Sequence, residues 1–138
     1  MELSLDNALQ QAVSAHNKGK LQEAERLYRA ILQAQPAHPD ANHNLGLIAI
    51  SVDQTSKALQ LFKNALKANP KIEHFWLSYI EALIKNNQIK NAKKAIKKAQ
   101  KNGFDLESFK TLSKRLLPAV NSRAPSQSLI NNLVEQYR

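Results

Sequence analysis

Four histidines are the side chains of this sequence best suited to metal or acid–base chemistry, and their spacing argues against both. His38 and His43 are five residues apart, so they cannot share one helical face as a pair of ligands at i and i+4 would. There is no cysteine to complete a zinc site or to act as a nucleophile. The sequence also lacks a Gly-rich phosphate loop, a G-x-S-x-G turn and an H-E-x-x-H helix. We therefore predict no enzyme activity, no metal and no cofactor.

Positive charge is the second chemical feature, and it is concentrated in one part of the chain. The formal net charge is +9, although residues 1–84 hold eight basic and eight acidic side chains. Residues 85–138 hold twelve basic and three acidic side chains. Six lysines with helical spacing account for half of these twelve: Lys90, Lys93, Lys94, Lys97, Lys98 and Lys101.

Two interpretations of these lysines stay open. They are either the solvated outer face of an ordinary helix or a surface that binds an anionic partner. Residues 89–102 contain no arginine and no aromatic residue, which disfavours nucleic acid because base stacking and bidentate phosphate contacts need those side chains. An acidic protein surface or an acidic membrane face also fits the charge.

A 34-residue period organises the chain and predicts the elements that carry these side chains. Three columns of residues recur at this step: Ala24, Ala58 and Ala92; Tyr28, Phe62 and Ile96; Ile31, Ala65 and Ala99. Turn-forming residues recur at one phase between the helices: Gly19, Asp53 and Asn87. The apolar spacing predicts six helices over about 5–17, 22–35, 39–51, 56–68, 73–86 and 89–102.

This period and its columns resemble the tetratricopeptide repeat. The repeats would run over 5–38, 39–72 and 73–106. The second matches the family pattern best, with Leu45, Gly46, Ala58, Phe62, Ala65 and Pro70. The third departs at Ile80, where the family has glycine. The resemblance implies an all-α fold, a right-handed superhelical solenoid of helix-turn-helix repeats.

The resemblance also implies a concave groove, lined by the first helix of each repeat, that binds a protein or peptide partner. Position 6 of those helices is similar to the asparagine ladder of O-linked N-acetylglucosamine transferases, and it holds Gln10, Asn44, Ser78 and Asn132. An asparagine amide can pair with a peptide backbone without reading its side chains. Neighbouring groove positions hold Asp40, His43, Leu47, His74, Leu77, Glu81 and Lys85. A chaperone-type carboxylate clamp is rejected, because only Asn44 fits its pattern.

The C-terminal region is predicted to contain three further segments. Residues 107–117 would form an additional packing helix, and the proline-containing stretch 118–127 would be a linker. Residues 128–138 would be either the first helix of a partial fourth repeat or a capping helix. A partial repeat would make the chain the recognition part of a longer protein and would favour self-association through 128–138. Without a spanning apolar run or a signal segment, the chain is predicted to be cytoplasmic.

Overall fold

The computed structural model describes residues 4–105 and contains six helices in three helix-turn-helix pairs. Their bounds are α1 Leu5–Asn17, α2 Leu21–Ala34, α3 Pro39–Ser51, α4 Thr55–Ala68, α5 Glu73–Lys85 and α6 Ile89–Lys101. The all-α prediction is confirmed, and each helix begins and ends within one residue of its predicted bounds. The predictions for residues 107–138, including Asn132, lie outside the described residues.

The chain divides into two compact units, Met1–Asn69 and Pro70–Arg138. In the first unit α1 packs on α2, α2 on α3, and α3 on α4. In the second unit α5 packs on α6. The core of the first unit is built on residues from the predicted columns and the stripes beside them: Ala8, Ala12, Ala15, Ala24, Leu27, Tyr28, Ile31, Ala41, Leu45 and Ile48. The second unit buries Phe75, Trp76, Ile80, Leu83 and Ile96.

The turn inside each helix pair is closed by one residue in the left-handed region. Gly19, Asp53 and Asn87 have φ values of 77°, 63° and 61°. In each turn this residue donates its N–H to the carbonyl three residues back, and the next residue donates to the carbonyl five back. These paired bonds satisfy carbonyls that the end of a helix leaves without partners. The recurring turn residues in the sequence therefore mark a backbone conformation that repeats every 34 residues.

Replacing Asp53 or Asn87 by glycine is expected to stabilise the protein. A residue with a Cβ pays about 1 kcal/mol to hold the left-handed conformation, whereas glycine adopts it freely. Part of the gain is offset by the greater freedom of glycine in the unfolded chain. We expect the free energy of unfolding in urea to rise by about 0.5 kcal/mol for Asp53→Gly. Gly19→Ala is the reciprocal control and should lower it, and equal effects of both changes would contradict this explanation.

Gly46 allows α3 and α4 to approach each other closely. A Cβ added to Gly46 would overlap Cε1 of Phe62 and would lie 2.8 Å from its Cδ1. Phe62 is fully buried, so its ring has no open space into which it could move. The third repeat reverses the sizes at the same two positions, with Ile80 in place of the glycine and Ile96 in place of the phenylalanine, and both isoleucines are buried. The departure from the family pattern at Ile80 is thus accompanied by a smaller residue at the facing column.

A side-chain N–H at position 4 of the second and third repeats ties each first helix to the proline before it. Asn42, which is 1% exposed, donates from Nδ2 to the carbonyl of Pro36 at 3.0 Å. Trp76 donates from Nε1 to the carbonyl of Pro70 at 2.8 Å. The two bonds are 34 residues apart and satisfy equivalent carbonyls at the end of the preceding helix. The family pattern asks only for bulk at this position, so the bond was not predicted.

Candidate functional site

The groove-facing side of α1 is an open surface in the structure. Gln10, the first member of the predicted ladder, is exposed. It borders a depression of about 500 Å³ whose described lining comes from a single face of α1 and the residue after it: Leu9, Gln10, Val13, Ser14, Asn17 and Lys18. Apolar and amide side chains alternate along this lining, which suits a ligand with both hydrocarbon and hydrogen-bonding groups.

Three of the predicted groove residues form one stripe on α3. Asp40, Asn44 and Leu47 are spaced i, i+4 and i+7, so they lie along the same face of the helix. Asp40 is exposed, Asn44 is half-buried, and Leu47 is 38% exposed, an unusually large fraction for a leucine of this structure. The stripe therefore offers a carboxylate, an amide and an apolar side chain to a ligand.

Asn44 belongs to a chain of polar contacts that crosses from the first helix pair to the second. The Tyr28 hydroxyl lies 3.3 Å from Nδ1 of His16, and their rings meet edge to face. Tyr28 also shares a side-chain hydrogen bond with Asn44. Asn44 Oδ1 in turn lies 3.3 Å from Nδ1 of His43. Four side chains from α1, α2 and α3 are thereby connected.

The pKa values of this chain indicate the direction of its hydrogen bonds. Burial raises the pKa of Tyr28, the bond to Asn44 acts in the opposite direction, and the charge of Asp40 raises it further. A bond that favours the phenolate is one in which Asn44 Nδ2 donates to the phenolic oxygen. The Tyr28 proton then points to Nδ1 of His16, which is neutral because burial lowers the pKa of that imidazole. Asn44 keeps one N–H and one oxygen lone pair for a ligand.

Acidification is expected to destabilise the first unit through His16. Its pKa in the folded protein lies below the ordinary value of 6.5, so the unfolded state takes up the proton first. The stabilising contribution is therefore complete above pH 6.5 and is lost as the pH falls through the lower pKa of the folded state. Urea unfolding at pH 7.5 and pH 5.5 should show a smaller pH effect in His16→Gln than in the wild type. His74→Gln on the exposed surface should keep the wild-type effect, and the same reduction in both variants would contradict the assignment.

The prediction for His43 differs from the structure. The sequence places it among the groove contacts, but its side chain is only 4% exposed. Its ring packs against that of Phe62, with 5.5 Å between centroids and a tilt of 41°. His43 thus belongs to the core between α3 and α4 and supports Asn44 from behind. The sequence gave no sign of this, because position 5 lies at the border between the groove stripe and the core stripe.

The predicted groove residues of the second unit lie on α5 with mixed exposure. His74 and Lys85 are exposed, while Leu77, Ser78 and Glu81 are half-buried. The His74 ring meets the buried Phe75 edge to face at 5.1 Å. These residues therefore lie on the partly accessible side of α5, opposite its core residues.

Tyr28 is the member of the polar chain that sequence reasoning missed. Its column predicts a large residue that fills the core, and the side chain is indeed fully buried. The hydroxyl at the end of that side chain distinguishes it from Phe62, its counterpart in the second repeat. A histidine twelve residues earlier was the available signal, since position 12 of one helix faces position 24 of its partner.

The predicted lysine positions lie on the outer side of α6. Five of the lysines are exposed and Lys93 is half-buried. The opposite side of the helix is buried and consists of Ala92, Ala95, Ile96 and Ala99. Each like-charge pair at i, i+4, such as Lys90 with Lys94, destabilises a helix by about 0.2–0.5 kcal/mol. The buried alanines and Ile96 must offset this repulsion.

Other kinds of site are not found among residues 4–105. No group of three or more His, Cys, Asp or Glu side chains in this range could hold a metal ion. None of the helices in the same range has both the length and the apolar character needed to span a bilayer.

The paired helices, their 34-residue step and the stripes on α1 and α3 define the class of helical repeat proteins. Within that class, residues 49–116 match a family model described as Tetratricopeptide repeat. The chain belongs to the tetratricopeptide-repeat family, whose domains are protein–protein interaction modules. No curated protein matches the sequence.

Solved structures of the same fold support this assignment at low sequence identity. The O-GlcNAc transferase of Thermobaculum terrenum is 18% identical with a TM-score of 0.70, and the match covers 99% of this chain but only 28% of the transferase. The type III secretion chaperone SycD of Yersinia enterocolitica, solved with a peptide of the translocator YopD, is 17% identical with a TM-score of 0.70. That match covers 97% of this chain and 95% of SycD. The Sgt2 TPR domain of Aspergillus fumigatus is 22% identical with a TM-score of 0.66, covering 88% and 85% of the two chains.

Proposed function

We propose that the chain is a recognition module that binds an extended peptide segment of a partner protein along the exposed faces of α1 and α3. The observation that carries this proposal is the position of Asn44. Its amide is held by Tyr28 on one side and by His43 on the other, yet the side chain is only half-buried. A fixed amide with one donor and one acceptor left over matches the C=O and N–H of an extended backbone.

The surroundings of Asn44 supply the other contacts that such a ligand needs. Leu47, one turn further along α3, offers exposed apolar surface for a side chain of the peptide. Gln10 and the depression beside α1 offer a second amide and further apolar area. SycD shows that a chain of this fold and similar length can hold a peptide. In this proposal catalysis, where it exists, belongs to a separate domain or protein.

Replacing Asn44 by alanine is expected to weaken peptide binding about tenfold, which corresponds to the loss of about 1.4 kcal/mol, a value within the range of buried hydrogen bonds. A ligand can be obtained by selecting random 12-residue peptides on the wild-type protein and measuring the affinity of one of them by fluorescence anisotropy. Far-UV circular dichroism should show unchanged helix content in Asn44→Ala.

The matched control is Asn91→Ala, an exposed asparagine on α6 that should leave the affinity unchanged. Unaltered affinity of the selected peptide for Asn44→Ala, together with unaltered affinity for Gln10→Ala and Leu47→Ala, would overturn the proposed site. Failure to select any peptide above background would overturn the proposed function itself.

A further inference from the structure

The outer side of α6 is a surface that the proposed peptide site does not use. We name it the lysine face, and it consists of Lys90, Lys93, Lys94, Lys97, Lys98 and Lys101. We propose that the lysine face binds an acidic segment of a protein partner, one with several Asp or Glu side chains within about three helical turns. The surface is independent of Asn44, and its failure would leave the proposed function untouched.

The charge of this surface has little compensation in its neighbourhood. No acidic residue occurs in α6, including its first turn, where a carboxylate would interact favourably with the helix dipole. Gln88 occupies the N-cap without making a side-chain hydrogen bond to the helix. Within residues 4–105, no ion pair is formed by Lys90, Lys94, Lys98 or Lys101. Bringing carboxylates to these lysines would relieve the repulsion between them.

The shape of the lysine face favours a protein segment over a membrane. At 100° per residue, the six lysines spread over an arc of roughly 140° and along roughly 16 Å of the helix axis. A peptide can follow such a curved strip, whereas a flat bilayer meets mainly its middle. An interfacial helix also buries an apolar face in the lipid, but the apolar face of α6 is already buried in the protein. Asn91, the remaining exposed residue of the helix, donates its amide to Gln88.

The side-chain types favour carboxylates over nucleic acid. The helix contains neither an arginine, whose planar fork binds phosphate through two parallel bonds, nor an aromatic ring on which a base could stack. Lysine presents a compact charge on a flexible stem, which adapts to carboxylates at varied positions.

The test uses a defined probe, because the natural partner is unidentified. A labelled 14-residue peptide with glutamate at i, i+3, i+4, i+7, i+8 and i+11 is titrated with the full chain, and the same peptide with glutamines serves as the uncharged control. We expect the glutamate peptide alone to bind, with an affinity that falls roughly tenfold between 50 and 200 mM salt because the charges are exposed. The triple variant Lys94→Gln, Lys98→Gln, Lys101→Gln should lose at least roughly tenfold in affinity at the lower salt concentration.

A variant with the same change in net charge separates the lysine face from general electrostatic attraction. Lys57, Lys63 and Lys67 are exposed on α4, the equivalent helix of the second repeat, and replacing all three by glutamine should leave binding close to the wild-type value. An equal loss in both triple variants would overturn the proposal. So would tighter binding of phosphatidylserine vesicles or of a 20-base-pair DNA duplex than of the glutamate peptide, since either would identify another class of partner. Asn44→Ala should bind the glutamate peptide as the wild type does.

Discussion

Replacing Gly46 by alanine is expected to lower the free energy of unfolding by about 2 kcal/mol. The added Cβ overlaps the Phe62 ring, and that ring is fully buried between α3 and α4. Overpacking of this kind costs about 1–3 kcal/mol, and the better helix propensity of alanine returns up to about 1 kcal/mol. At a position without a close neighbour, the same change would stabilise the helix, so the sign of the effect is diagnostic. Urea unfolding followed by circular dichroism measures it.

A double-mutant cycle ties the effect to Phe62. The third repeat has a large residue at the glycine position, Ile80, and a smaller one, Ile96, at the phenylalanine position. Gly46→Ala should therefore cost much less in the background of Phe62→Ile than in the wild type, with a coupling of about 1 kcal/mol or more. Additive effects of the two changes would show that the Phe62 ring is not the group that excludes a side chain at position 46.

Replacing Tyr28 by phenylalanine is expected to destabilise the first unit by about 1–2 kcal/mol and also to weaken peptide binding. The change keeps the ring and the packing but removes the hydroxyl that lies between His16 and Asn44. Polar groups that lose a buried partner cost about 1–3 kcal/mol, and partial access of water to Asn44 reduces the loss. Without this bond the Asn44 amide can rotate, so the ordering of that side chain must be supplied by the ligand.

Tyr79→Phe is the matched control for this prediction. Tyr79 is half-buried, and burial is the cause of its raised pKa. We expect Tyr79→Phe to change the free energy of unfolding by less than about 0.5 kcal/mol, as a substitution outside a polar network does. A similar loss of stability in both variants, with no change of peptide affinity in Tyr28→Phe, would show that the hydroxyl does not hold Asn44 in place.

The fold was predictable from the sequence because its columns report packing distances. Ala58 and Gly46 are small where helices approach closely, and Phe62 is large where a gap must be filled. The repeated turn residues likewise report a required backbone conformation, as the φ values of Asp53 and Asn87 show. Such constraints act at one position each, so a single sequence displays them as a period.

The candidate site was predictable only in part, because its features depend on pairs of side chains from different helices. Asn44 and Leu47 were placed on a stripe by helical spacing alone. The position of the Tyr28 hydroxyl and the burial of His43 against Phe62 depend on how three helices meet, and no period contains that information. The repeat boundaries at residues 38 and 72 and the function of the groove as a whole stay predictions.

The central claim is that Asn44 recognises the backbone of an extended peptide, and an ester scan of a selected peptide tests it most directly. Each ester in turn replaces one backbone N–H by oxygen, and each affinity is measured with the wild type and with Asn44→Ala. The account predicts that one ester weakens binding to the wild type about tenfold and has no further effect on Asn44→Ala, since both changes remove the same hydrogen bond. Esters that weaken binding to both proteins equally at every position would contradict it.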